Sequence, residues 1–270
     1  MDEESYLACA EPACPNWTLW VDPDPRPGWA NMAIDQVLLE RAETFDESWL
    51  RLYRWEPHCL SFGRHEPALR RYDRERIAAL GLDTVRRPTG GRAVWHSREL
   101  TYAAASPSRL FGTLQGAYLD IHRMLAQALE SVGLYVSLAP RARVPNLGAG
   151  ACFAEPVGGE ILHGDRKLVG SAQLRSRSSF LQHGSILLAD EQQMVAVCAR
   201  ANGHGLTQMD VEHSAPEVSV SANQLIEAIS HTSRRRWPGC WREISGSDEV
   251  LEAAGRHAGR FRSAAWTWKR

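Results

Sequence analysis

Two side chains fifteen positions apart, those of Cys152 and Lys167, could together form a chemical nucleophile. Only Lys167 and the penultimate Lys269 are lysine among 31 basic residues, so a lysine inside the chain is unusual here. A lysine ammonium is a compact charge whose proton can move, whereas arginine stays protonated. A free thiol has a pKa of about 8.5, and a nearby ammonium favours its reactive thiolate. The pair therefore predicts an activated cysteine, with a buried, inert thiol and a lysine retained by chance as the alternative.

The segment RRPTGGRAVWH carries a second candidate site. Gly90 and Gly91, which follow Thr89, let a backbone loop approach a ligand closely and present N–H groups to an anion or a carbonyl oxygen. Arg87 and His96 flank this turn. The glycine spacing fits neither a P-loop nor a dinucleotide fingerprint. The segment predicts a ligand-binding turn, and a plain hairpin connection is the alternative.

His183, in SFLQHGSILL, enters a predicted strand. Such a histidine is either a hydrogen-bonded structural residue or a base paired with Cys152, and the sequence leaves both roles open. Metal-ligand spacing is absent among His58, His65, His96 and His163 and between any of these and a cysteine pair. We therefore predict no metal site.

Composition excludes several classes of function. The 270 residues, 44% of them hydrophobic, suffice for one large domain or two small ones. A net charge of -1 provides no overall electrostatic attraction to nucleic acid or to an anionic membrane. The N-terminus is acidic, and no stretch approaches the roughly 18 apolar residues of a membrane helix. Six scattered cysteines are too sparse for a disulfide framework. We expect a cytoplasmic protein that binds neither nucleic acid nor membrane.

Hydrophobic periodicity predicts interleaved strands and helices. Helices are predicted over 28–43 with Asn31 as a candidate cap, 70–80, 114–132, the segment after a Ser221–Gln224 capping box, and 248–257. Strands are predicted at 17–21, 50–55, 59–63, three segments within 83–107, 134–138, a hairpin around 163–166, and 183–188. Several turns are too short for parallel crossovers. The predicted fold class is α+β, a mixed, largely antiparallel sheet flanked by helices.

Taken together, several segments resemble the lipoate–protein ligase and octanoyltransferase family. They are NMAIDQVLL, LRLYRWEPHCLSFGRHEP, RRPTGGRAVWHSRELTY, ACFAEP, KLVGSAQ, LQHGSILL and FRSAAWTWKR, and they cover nearly the whole chain. The chain is most similar to the cysteine-dependent branch that acts on the glycine cleavage H protein. ATP-dependent ligases of the family instead carry a third glycine where Arg92 stands and lack a cysteine at position 152. One departure is Ser97, where the family usually has aspartate.

The resemblance implies the biotin/lipoate protein ligase catalytic fold, with residues 1–16 as a loose tail and 17–270 as a single catalytic domain. It implies that Cys152 takes an octanoyl group from octanoyl acyl carrier protein as a thioester. The group then passes to a lysine of a lipoyl-type acceptor, the glycine cleavage H protein or a similar domain. Lys167 is implied to lower the pKa of the cysteine. The implied substrate-binding residues are Arg87, Thr89, Gly90, Gly91, His96, Gly170, Ser171, Ala172 and His183. Because the thioester is already activated, no cofactor, ATP or metal is expected.

Three other functions stay open at this stage. An ATP-dependent lipoate–protein ligase would activate free lipoate as an adenylate. A related amidotransferase would move octanoyl or lipoyl groups between two protein lysines. A non-catalytic acyl-binding protein would perform no transfer at all.

Four arginines suggest a surface for the donor protein. Arg70, Arg71, Arg74 and Arg76 fall on one predicted exposed helix, and carrier proteins of this pathway are acidic. Such a cluster could speed the encounter with the donor in a salt-sensitive way. A solvated helix face, paired internally with nearby carboxylates, is the alternative.

Overall fold

The computed structural model describes residues 14–140, 158–189, 191–200 and 218–269. Its strands are β1 (Asn16–Val21), β2 (Ser48–Tyr53), β3 (Cys59–Phe62), β4 (Asp83–Arg86), β5 (Val94–His96), β6 (Glu99–Pro107), β7 (Ser137–Leu138), β8 (Ile161–His163), β9 (Arg166–Arg175), β10 (Ser179–Leu187) and β11 (Cys240–Ile244). Its helices are α1 (Gly28–Thr44), α2 (Ala68–Arg71), α3 (Arg74–Ala79), α4 (Leu114–Ser131), α5 (Gln193–Val197), α6 (Ala222–Arg236), α7 (Asp248–Phe261) and α8 (Ala264–Thr267).

The larger sheet contains eight strands in the order β11-β1-β2-β6-β10-β9-β8-β7. β1 pairs in parallel with both β11 and β2, and the remaining pairings in this sheet are antiparallel. A second sheet of three strands has the order β4-β3-β5. The architecture confirms the predicted α+β class with a mixed, largely antiparallel sheet.

Helices cover both faces of the larger sheet. α4 and α6 pack on one face around Leu50 and Leu52 of β2, because the three- and four-residue spacing of α4 puts Ile121 and Leu125 on one side. α1 and α7 pack on the other face, around the alternate β2 residues Trp49 and Tyr53. The central strands are therefore buried on both sides and form a rigid floor.

At two places the protein interior contains a buried, hydrogen-bonded arginine instead of apolar side chains alone. Arg51 of β2 lies fully buried beneath α1, where its guanidinium donates to Asp22, Asn31 and Asp35 at 2.7, 2.8 and 3.3 Å. Asp35 also accepts from the Tyr53 hydroxyl at 2.9 Å. A planar fork with five N–H donors can join several acceptors at once, which a lysine ammonium does not match in geometry.

Arg86, at the end of β4, ties the C-terminal segment to the three-stranded sheet. Its Nε donates to the carbonyl oxygens of Trp266 and Thr267 at 2.9 and 3.1 Å. Its Nη1 donates to the carbonyl oxygens of Gly63, Arg64 and Glu66 at 2.6, 3.1 and 2.8 Å. One buried guanidinium thus holds two segments that lie about two hundred positions apart in the chain.

The predicted helix over 70–80 is wrong in its continuity. Tyr72 is extended and bridges Ala199, and Asp73 then caps a new helix by accepting from two backbone N–H groups. Two short helices, α2 and α3, result. Arg70 and Arg74 consequently do not share one helical face.

Two further predictions of local structure need correction. Asn31 does not cap α1, which begins at Gly28; the Asn31 amide is buried and donates to the carbonyl oxygens of Arg26 and Arg54. β11 was not predicted, because its residues have no alternating apolar pattern and pair only as an edge strand. No helix within the described ranges combines the length and apolar character needed to cross a membrane.

Candidate functional site

A cleft lies among α1, β2, β5 and the central strands, and it encloses about 360 Å³ including its open mouth. Six residues predicted for the site line it, namely Arg87, His96, Gly170, Ser171, Ala172 and His183. Seven lining residues were not predicted: Met32, Tyr53, Trp55, Val94, Thr101, Gly184 and Ser185. Apolar and aromatic walls with a few converging polar groups are typical of sites for small, partly apolar ligands.

His183 is held on both ring nitrogens. Its Nδ1 donates to the Asp35 carboxylate at 2.9 Å, and its Nε2 lies 2.6 Å from the Thr89 hydroxyl. Thr89 is fully buried and does not line the cleft. His183 is therefore fixed between helix α1 and the glycine turn.

His96 is held in the same way by a different pair. Its Nδ1 donates to Glu99 at 2.7 Å, and its Nε2 accepts from Ser61 Oγ at 2.6 Å, since Arg87 donates to that oxygen at 2.5 Å. Burial lowers the pKa of His96, against the opposing charge of Glu99. Trp55 stacks on the imidazole at 3.9 Å. The site therefore contains a neutral imidazole with a defined tautomer.

Hydrogen bonds from the Arg87 side chain hold the glycine turn in place. Arg87 donates to the carbonyl oxygens of Gly90 and Arg92 at 3.2 and 2.7 Å. Gly91 has a φ of 91°, a left-handed conformation that favours glycine. A Cβ on Gly63 would lie 1.8 Å from the Gly91 carbonyl oxygen, so the end of β3 and the turn are in direct backbone contact. Gly90 and Gly91 themselves do not line the cleft.

Lys167 lies at the start of β9, three residues before the lining segment Gly170–Ala172. Its side chain is 1% exposed, and Nζ forms an ion pair with Glu160 Oε1 at 2.7 Å. Glu160 is itself buried and comes immediately before β8. Glu160 was not predicted, because no local pattern marks it. The hairpin pairing of β8 with β9 was predicted, and it brings the two side chains together.

A chain of hydrogen bonds passes through Ser171, which lines the cleft, and ends at Gly159, next to Glu160 of the ion pair. Gln182 donates to the Tyr102 hydroxyl at 2.8 Å, and Tyr102 donates to Ser171 Oγ at 2.7 Å. Ser171 donates to His122 Nε2 at 2.8 Å, and His122 Nδ1 donates to the Gly159 carbonyl oxygen at 2.5 Å. Burial lowers the pKa of His122 to about 4, and the charge of Lys167 contributes to the lowering. His122 is therefore neutral at physiological pH.

The predicted nucleophile, Cys152, lies outside the described residues. Of the cysteines that the structure describes, Cys59 is buried, and burial and the neighbouring Asp83 carboxylate raise its thiol pKa well above the usual range. Burial raises the pKa of Cys198 to about 11. Both thiols are therefore protonated and poorly reactive at neutral pH. Cys14 and Cys240 are exposed and do not line the cleft.

The described part of the chain contains no group of three or more His, Cys, Asp or Glu side chains that could hold a metal ion. The cleft offers instead apolar and aromatic walls and two imidazoles fixed by carboxylates, and a buried ammonium lies on the strand that forms its floor. This set of groups suits acyl transfer, in which a positive charge and hydrogen-bond donors stabilise a developing oxyanion.

Comparison with known proteins shows which family this chain resembles. Residues 27–229 match the family model for the lipoyl protein ligase A/B catalytic domain. A protein of Kyrpidia tusciae named Octanoyltransferase LipM is 39% identical over 177 residues, which cover 62% of this chain and 65% of that protein. The chain thus matches just under two thirds of that relative's length. Octanoyltransferase LipM of Exiguobacterium sibiricum is 30% identical over 266 residues, covering 89% of this chain and 94% of that protein.

Solved structures share the fold. A lipoate-protein ligase A bound with ATP superimposes with a TM-score of 0.75 at 18% identity, covering 94% of this chain and 98% of that one. A putative lipoate protein ligase of T. acidophilum with bound lipoic acid gives a TM-score of 0.72 at 17% identity, covering 94% and 99%. The architecture is therefore that of the lipoate ligase catalytic domain. By fold and by sequence alike, the chain belongs to the lipoyl protein ligase A/B catalytic domain family.

Proposed function

We propose that this protein is an octanoyltransferase of lipoate biosynthesis that works through a thioester on Cys152. The observation that carries the proposal is the buried Lys167 ammonium on the strand that forms the floor of the cleft. Relatives at 30–39% identity bear the name octanoyltransferase, which supports the same reaction here. The donor is octanoyl acyl carrier protein, and the acceptor is a lipoyl-type domain such as the glycine cleavage H protein.

In the first step the Cys152 thiolate attacks the thioester carbonyl of the donor. The carbonyl oxygen gains negative charge, the bond between carbon and the donor sulfur breaks, and the carrier leaves as a thiol after taking up one proton. The octanoyl group is then bonded to Cys152 as a new thioester. Covalent catalysis of this kind divides one difficult transfer into two easier ones.

In the second step the neutral amine of an acceptor lysine attacks the octanoyl thioester. The carbon–sulfur bond breaks, an amide forms, and the amine proton leaves as Cys152 returns to the thiolate. Lys167 serves both steps, because a fixed ammonium in a sheltered site lowers the pKa of a nearby thiol and stabilises an oxyanion. Glu160 holds that ammonium in place through their ion pair.

The cleft residues serve the acyl chain and the turn that borders it. Gly170, Ser171 and Ala172 supply a narrow floor, and Trp55 and Met32 add apolar wall. His96 and His183 fix β3 and the glycine turn rather than act as free bases, since each ring nitrogen already has a partner. We assign them, with Arg87, Thr89, Gly90 and Gly91, to shaping the substrate site.

The strongest alternative is an ATP-dependent lipoate–protein ligase. The solved ligases resemble this chain at 17–18% identity, a likeness that concerns the fold alone. Arg92 stands where ATP-dependent ligases carry a third glycine, and Cys152 stands where they have no cysteine. These features favour a thioester donor over an adenylate.

The decisive experiment is intact mass after mixing the protein with octanoyl acyl carrier protein. We expect a gain of one octanoyl group that hydroxylamine removes and that peptide mapping assigns to Cys152. Cys152→Ala should retain the fold by circular dichroism and gain no mass. Acylation at Cys59, Cys198 or Cys240 would contradict the assignment, and transfer only with free lipoate and ATP would establish the ligase instead.

A further inference from the structure

A basic surface without carboxylate partners lies at the C-terminal end of the described chain. The Trp266 ring has Arg260 Cζ at 3.9 Å and Lys269 Nζ at 3.9 Å from its centroid, so two cations contact one indole. Arg64 belongs with them, because Arg86 binds the backbone carbonyl oxygens of both Arg64 and Trp266 and the charge of Arg64 acts on both Arg260 and Lys269. We call Arg64, Arg260, Trp266 and Lys269 the Trp266 patch.

The charges of the Trp266 patch are not neutralised locally. Within the described ranges no carboxylate oxygen lies within 4.0 Å of the side-chain nitrogens of Arg64, Arg260 or Lys269. Partial burial and the charges of Arg86, Arg260 and Arg64 lower the pKa of Lys269. The charge of Glu40 acts on Arg260, but Glu40 already pairs with His257 at 3.0 Å. Mutual repulsion of this kind is relieved when an acidic surface binds.

The patch adjoins the turn that borders the cleft. The Arg64 backbone N–H donates to the Thr89 carbonyl oxygen at 2.8 Å, and Thr89 in turn contacts His183 of the cleft. On its other side, the Lys269 carbonyl oxygen accepts from Leu69 at 3.5 Å, and Arg74 lies 5.7 Å from the ring of Trp268. Basic residues from three distant parts of the sequence therefore meet beside the substrate site.

We propose that the Trp266 patch docks the acidic surface of the carrier protein that delivers the acyl thioester. This inference rests on the proposed function, since it names the surface that receives the donor. Three cations on separate elements fit an extended acidic protein face. The chain as a whole has a net charge of only -1, so the attraction is local to this surface and orients the donor toward the cleft.

The test reverses charge at two exposed positions, Arg64→Glu with Lys269→Glu. A matched control, Arg123→Glu with Arg235→Glu, changes two exposed arginines on α4 and α6, which cover the opposite face of the sheet. With octanoyl acyl carrier protein at low salt, the second-order rate of enzyme acylation should fall about tenfold in the patch variant only. The difference should shrink as ionic strength rises, because salt screens exposed charges.

Two further arms separate the possible outcomes. Acylation by a small, uncharged octanoyl thioester, the N-acetylcysteamine ester, should be unchanged in the patch variant; an equal loss with both donors would overturn docking. Transfer from preformed octanoyl-enzyme to a lipoyl domain should also be unchanged, and a loss confined to that step would assign the surface to the acceptor. Calorimetric titration of Cys152→Ala protein with octanoyl acyl carrier protein, with and without the two patch changes, measures docking without acyl transfer. Unaltered affinity in the patch variant refutes the proposal even if the proposed activity fails.

Discussion

Lys167 and Glu160 place opposite charges inside the protein at a distance of 2.7 Å. Removing two charges from water is costly, and their attraction repays this only with good geometry. A pair of this kind is weak evidence for stability, because well-packed apolar residues often do as well. We propose a chemical value for this pair instead, because the ammonium lies on the strand that forms the floor of the cleft and a buried ammonium there would favour a thiolate and stabilise an oxyanion.

A comparison of single and double variants separates these two roles. Glu160→Gln removes one charge and leaves a buried ammonium, so we expect a loss of about 3 kcal/mol in the free energy of unfolding. Lys167→Met with Glu160→Gln removes both charges and should recover much of that loss. Urea unfolding measures both. Recovery of stability without recovery of octanoyl transfer would identify a chemical role for Lys167.

The same variants test whether Lys167 lowers the pKa of the Cys152 thiol. In Lys167→Met with Glu160→Gln, alkylation of Cys152 by iodoacetamide should slow at neutral pH, and its pH profile should move upward. The exposed pair Arg234 and Glu243 offers a control, since Arg234→Met with Glu243→Gln should leave the profile unchanged. An unmoved profile in the Lys167 variant would restrict this residue to positioning the substrate.

At the scale of elements, the glycine turn owes its position to contacts with its neighbours. β3 ends at Phe62, and Gly63 then touches the Gly91 carbonyl oxygen so closely that no side chain fits between them. Thr89 joins the turn to β10 through His183. The turn is thus held in place behind His183, which lines the cleft, and its position depends on Gly63, a residue outside the turn.

Gly63→Ala should therefore displace the turn. A Cβ at 1.8 Å from a backbone oxygen forces the main chain to move. Overpacking of this kind lowers the free energy of unfolding by about 1–3 kcal/mol. We expect a lower melting temperature together with at least tenfold lower octanoyl transfer, about 1.4 kcal/mol in the activation barrier.

Gly255→Ala is the matched control for this change. Gly255 lies in α7 with open space around its Cβ position, so alanine there should stabilise the helix by about 1 kcal/mol and leave activity intact. Full activity in Gly63→Ala would show that the turn can move without consequence for the reaction.

At the scale of the whole molecule, buried histidines make stability depend on pH. Burial lowers the pKa of both His96 and His122 in the folded state, to about 4 for His122. In the unfolded chain the ordinary pKa is about 6.5. As pH falls from 6.5 to 4, the unfolded state therefore takes up protons that the folded state does not, and stability is lost across this window.

His122→Gln tests this linkage. Between pH 7 and pH 4.5 the wild type should lose about 2 kcal/mol more unfolding free energy than the variant, because the variant lacks the titrating group. Glutamine can still donate to Gly159 and accept from Ser171, so the hydrogen-bond chain has a substitute. His231→Gln, at an exposed position, should follow the wild type. Equal losses in wild type and His122→Gln would refute the assignment.

Local patterns in the sequence were sufficient for most elements. The three- and four-residue spacing predicted α4, the capping box at Ser221 began α6, and the alternating segments gave the hairpin of β8 and β9, all of which the structure confirms. These signals are reliable because each depends on which face of a short segment is apolar or on a hydrogen bond within one turn. The motif residues around Arg87, Gly170 and His183 were likewise visible, and the fold brings them to one cleft.

The sequence by itself determined the α+β class, the family resemblance and the candidates Cys152 and Lys167. Only the tertiary structure decided that β11 pairs with β1, that Glu160 holds Lys167, and that Lys269 reaches the surface beside Arg64. The physical reason is that such pairings are set by which buried donors and acceptors can be satisfied between distant segments. Arg86 illustrates this, because one guanidinium that satisfies five carbonyl contacts fixes the C-terminal segment, and no local pattern in the sequence encodes that choice.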